Sequence, residues 1–168
     1  MVAAERISSA AMLRLLAALA ATGCLAACSS GNPTFALTEA SVDPTYWCPG
    51  GAHDAKYDLH ATIAAHNGTA NPVTIQSVTA LMTLASIHGS WLERVGDQYD
   101  AGSVRFSPET VAPGSSTTLK ITIPSACTSG KYAGEGSSSA AYQVTMRVVT
   151  SAGPFTIIAS NKHEILAA

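Results

Sequence analysis

The chain has 168 residues, with 9 Lys or Arg against 11 Asp or Glu and a formal net charge of −2. Charged residues make up only 12%, about half of the usual ~25%. This leaves no basic surface to hold phosphates and excludes a nucleic-acid partner. Ser, Thr, Ala and Gly fill the difference, a composition that suits an extracytoplasmic β-protein.

Residues 1–27 read as an export segment, because Arg6 and Arg14 lead into the apolar run Leu15 to Ala21 and small residues follow. The run is far shorter than the ~20 residues a spanning helix needs. Glu5 is out of place in a basic start, and Met12 before LRLLAALAATGCLAAC makes a tidier one. The stretch Leu25-Ala26-Ala27-Cys28 resembles the lipobox of bacterial lipoproteins. The resemblance covers the first 28 residues and implies cleavage before Cys28, a diacylglycerol on its thiol and an acylated new amino terminus. The chain would then be exported and held in the cell envelope by lipid, at the outer membrane where the cell has one. Ala21-Thr22-Gly23-Cys24 lacks a large aliphatic residue three positions before its cysteine, so Cys24 leaves with the signal. The alternative is an ordinary secretory peptide cut nearby.

Residues 28–34 form a short tether, with turn formers and no apolar pattern. Its reach is about 20 Å at ~3.3–3.6 Å per residue. Residues 35–168 are a single domain, and Cys48 and Cys127 are its only cysteines. An even pair in an exported chain favours a disulfide over a reduced metal-binding pair. It would close a loop of 79 residues (127 minus 48). Neither cysteine lies in a CxxC, so a thioredoxin-type role has no support.

After a first strand that ends before Cys48, the hydrophobic period is two. In YDLHATIAAHN, Tyr57, Leu59, Ala61, Ile63 and Ala65 share one face, with Asp58, His60, Thr62, Ala64 and His66 on the other. Asn67-Gly68 marks a tight turn, and pairing resumes after Pro72. In VTIQSVTALMTL the apolar phase slips at Gln76-Ser77, which predicts a bulge or a change of sheet. SIHGSWLERV fits neither period, and GDQYDAG reads as a loop without EF-hand spacing. Val104-Arg105-Phe106, TTLKITIP, YQVTMRVV and PFTIIAS complete about seven strands, the last following the turn Ser151-Ala152-Gly153. No helix is predicted after the signal.

These spacings argue for a two-sheet antiparallel sandwich. YDLHATIAAHNGT…PVTI, TVAPGSSTTLKITIP and YQVTMRVVTSAGPFTI also resemble the immunoglobulin-like domains of exported bacterial proteins. Cys48 and Cys127 lie outside the strand centres, so they do not make the core disulfide of that family. With strands alternating up and down, a bridge clamping one pole is the geometry expected.

The chemistry is sparse. His60 and His66 share a face but stand ~20 Å apart along a strand, too far to chelate one ion. His53, His88 and His163 fall in no metal-ligand pattern, and no metal or other cofactor is expected. No GxSxG elbow is present, and His88-Gly89-Ser90 is a chance pairing in a Ser-rich chain, so no catalytic residue is assigned. The reading is a non-enzymatic binding or scaffold module, held at the membrane by its lipid and partnered by another envelope protein or a surface glycan. Trp47, Tyr132 and His53, with Trp91 and Tyr99, are the candidate contact residues, since aromatic side chains near loops supply contact energy or stack on sugar rings. The alternatives are a glycan-binding sandwich and a periplasmic metal-binding protein.

Overall fold

The computed structural model describes residues 34–49, 55–127 and 138–167. Cys28 and the segments expected to be a signal and a tether, up to Pro33, lie outside the described residues. Every regular element described is a strand, and none is a helix able to cross a membrane. The order is β1 (Phe35–Val42), β2 (Thr45–Cys48), β3 (Ala55–Asn67), β4 (Val73–His88), β5 (Gln98–Ser103) and β6 (Arg105–Ser107). Then come β7 (Thr110–Val111), β8 (Ser116–Cys127), β9 (Ser138–Thr150), β10 (Gly153–Ile158) and β11 (His163–Ala167).

Two sheets pack face to face as an immunoglobulin-like sandwich. The first runs β1-β3-β8-β6, and the second runs β2-β11-β9-β4-β5, with β10 also on β9 and β7 on β4. The predicted alternation is what fills the space between them. Leu59 and Ile63 from β3, Leu119 and Ile121 from β8, and Val144 and Val148 from β9 are all buried. The phase slip at Gln76-Ser77 is a bulge, where the β4–β9 register shifts between Ile75 and Ser77. It lets Val73 and Ile75 share the core with Val78, Ala80 and Met82.

Four sequence expectations need correction. The described strands number eleven rather than about seven: β2, β5 and β7 are short edge strands, and β11, between β2 and β9, opens its inward face with a histidine. The predicted first strand is two: β1 pairs with β3 in one sheet, and past Asp43-Pro44 the chain crosses to pair with β11 in the other. That β2–β11 pairing is parallel, so the sandwich is not wholly antiparallel. GDQYDAG is largely β5, and β4 continues to His88.

The strands define two poles. Phe35 pairs with Asn67, and His66 with Ser116, at one end, here the proximal pole. At the other, the distal pole, Ala55 pairs with Cys127 and Ala167 with both Cys48 and Ser138. At the proximal turn Asn67 is fully buried, and its Nδ2 donates to the carbonyls of Asn71 (2.8 Å) and Val111 (3.0 Å). Its Oδ1 accepts from the Thr69 amide (3.0 Å) and hydroxyl (2.7 Å). The run Asn67-Gly68-Thr69 is therefore a turn locked by its own side chains.

Candidate functional site

The expected pole clamp is present: Cys48 at the end of β2 is bonded to Cys127 at the end of β8, joining the two sheets. Next to it, strand alternation sorts the aromatic pair of TYWC. Tyr46 turns inward and stacks on Tyr57, with centroids 3.8 Å apart and planes within 7°. Trp47 turns outward on the edge strand and is 66% exposed. An indole presented this far into solvent is the most conspicuous apolar group of the pole.

Beneath Tyr46 lies a polar joint that sequence reading missed. His163 is buried, and its Nδ1–H donates to the Asp43 carbonyl at 2.8 Å. Its Nε2 accepts from the Tyr57 hydroxyl at 2.9 Å. One side chain thus ties β11 to the β1–β2 crossover and to β3. Burial pushes the imidazole below its ordinary value, partly offset by the Asp43 carbonyl and carboxylate, so the neutral tautomer is held. Burial also pushes Tyr57 up to about 12, which keeps its proton available to His163. Nothing in NKHEILAA announces this, because His163 takes an inward position on a strand whose alternation is otherwise Ile165 and Ala167.

Trp91 and Tyr99 do not join Trp47 in a platform. The ring contacts among the described residues are Phe35–Phe155, Tyr46–Tyr57 and Tyr57–His163. Trp91 instead donates to the Tyr142 hydroxyl at 3.4 Å, and Tyr99, still 45% exposed, donates to the Pro124 carbonyl at 3.3 Å. His53 and Tyr132 lie outside the described residues. His60 and His66 are exposed, as the alternation requires. His60 pairs with Asp43 at 3.0 Å and His66 with the Ser116 hydroxyl at 3.0 Å. Among the described residues no three His, Cys, Asp or Glu side chains converge.

No family model matches the sequence, and no curated protein matches it. Among solved structures, the chain is similar to a putative ApaA protein from Bordetella pertussis. The identity is 20% and the TM-score 0.37, over 81% of this chain and 95% of that one. It is also similar to the Escherichia coli AggA major subunit of aggregative adherence fimbriae type I, at 8% identity and TM-score 0.35, over 80% and 95% of the two chains. A PapD-like domain of human CEP192 matches at 11% identity and TM-score 0.29, over 78% and 84%. With TM-scores below 0.5, these likenesses assign no function. Fold and site together define a β-sandwich clamped at one pole by a disulfide, with an exposed tryptophan beside the clamp.

Proposed function

We propose that the protein is a lipid-anchored module of the cell envelope that binds another envelope protein through its distal pole. The observation that carries this reading is Trp47, exposed on β2 one residue from the inter-sheet disulfide. Loops and edges held on a rigid sandwich are where binding groups sit, and an indole fixed in this way loses little freedom on contact. Two further features support it. The lipobox resemblance at Cys28 puts an anchor upstream of Phe35, and Phe35 is at the proximal pole. The distal pole is the end of the sandwich remote from Phe35. A disulfide suits an oxidising, exported setting.

The test is site-specific photocrosslinking in native envelopes, with the reactive side chain placed at Trp47 or at exposed Ala70 on the proximal turn. Adducts with one discrete partner at position 47 and none at position 70 are expected. Adducts equally strong at both positions would refute a distal binding surface. Trp47→Ala should weaken capture of that partner with the thermal midpoint unchanged.

A further inference from the structure

The two sheets differ in width at the distal pole, and the mismatch leaves a hole. Among the described residues the first sheet there has only β3 and β8, because β1 has ended at Val42 and β6 pairs with β8 only over Thr122–Lys120. The second sheet keeps β2, β11, β9, β4 and β5. Among the described residues no strand pairs with the outer edge of β8 beyond Thr122, and Tyr99 reaches across to donate to the Pro124 carbonyl. Behind Tyr99 is an open cavity of about 100 Å³ whose lining includes Met82, Trp91, Cys127, Tyr142 and Ile165. Met82, Cys127, Tyr142 and Ile165 are core residues, so the hole opens into the hydrophobic interior.

We propose that this cavity binds a compact, neutral aromatic molecule carrying one hydrogen-bond acceptor. Size sets the first limit. An apolar cavity of ~150 Å³ takes up benzene; at about 100 Å³ this one is smaller but open to solvent, so it holds at most one ring, with any substituent projecting through the mouth. The walls set the second. Among the described residues they are apolar and aromatic, apart from Glu93 and Ser125, and an anion would lose its hydration against such walls without repayment. The third is the hydroxyl of Tyr142, a residue only 8% exposed. It accepts from the Trp91 indole and keeps its own proton to donate, the kind of single polar group that orients a ligand in an apolar pocket.

The chain contains two tryptophans, so a Trp47→Phe variant leaves Trp91 as the only indole. Acetophenone, toluene and benzoate are titrated into this ¹⁵N-labelled variant while the Trp91 indole N–H resonance is followed. Acetophenone and toluene should shift it saturably in the millimolar range, and benzoate should not. Adding Tyr142→Phe should weaken acetophenone about 5-fold, the worth of one neutral hydrogen bond, and leave toluene unchanged. Retained toluene binding also shows that the variant is folded. The proposal is overturned if neither neutral probe saturates, if benzoate binds as tightly as acetophenone, or if Tyr142→Phe weakens both neutral probes alike.

Discussion

Single residues carry three different kinds of stabilisation here. His163 is held neutral by burial, so its folded value lies below the ~6.5 of an unfolded chain. The unfolded state therefore binds more protons between those two values, and stability rises with pH across that window. The contribution is fully present above about pH 6.5 and is lost as pH falls toward the folded value. Protonation turns Nε2 into a donor facing the Tyr57 hydroxyl, which must then give up its own donation. Urea midpoints should drop from pH 7.5 to pH 5.5, and His163→Gln should flatten that slope. Asn67 acts through satisfaction of its amide. Asn67→Ala leaves the Asn71 and Val111 carbonyls without their donor at a buried turn, and a loss of about 1–3 kcal/mol in urea unfolding is expected. Ile121→Ala should cost about 2–5 kcal/mol by the same measurement, since the side chain is 1% exposed between the sheets.

At the scale of elements, the disulfide is the test case. The loop it closes spans 79 residues, and constraining the unfolded chain over that length is worth about 4–5 kcal/mol in the chain-entropy account. A Cys48→Ala, Cys127→Ala double variant should unfold at correspondingly lower urea and keep the sheet signature in far-ultraviolet circular dichroism. The strands on either side of this bond also show what a sequence can announce. β3, β4, β8 and β9 each bury one face, and their period of two was readable, including the bulge at Gln76-Ser77. β5 was not, because QYDAGS sits on an edge with both faces largely open and has no apolar face to repeat. β11 was hidden because its first inward residue is a histidine, whose burial is bought by two hydrogen bonds that only the tertiary fold supplies. The candidate site was legible to a similar degree. Trp47 and the cysteine pair were singled out from position and composition, whereas the cavity depends on a mismatch between sheets that no local pattern encodes.

For the whole molecule, the decisive measurement is where it is attached. Cys28 should carry a diacylglycerol, and mass spectrometry of the membrane fraction should show the modified amino terminus. A Cys28→Ala chain should leave that fraction. β3 spans 13 residues, so the two poles stand about 40 Å apart at ~3.3–3.4 Å per residue. A chain tethered before Phe35 would hold Trp47 at that height above the proximal end.

The parallel seat of β2 beside β11 has a consequence for the order of assembly. Thr45 lies next to Glu164, 119 residues later (164 minus 45), so the edge that displays Trp47 should be among the last parts of the sandwich to close. Pairings of such long separation are slow to find. Cys127 emerges well before His163, and oxidation can therefore join Cys48 to β8 while β2 still lacks its neighbour. A chain cut after Ser160 should form the same covalent bond and leave Trp47 on a strand with no partner, so in a Trp91→Phe background the Trp47 emission becomes a clock for the final step of maturation.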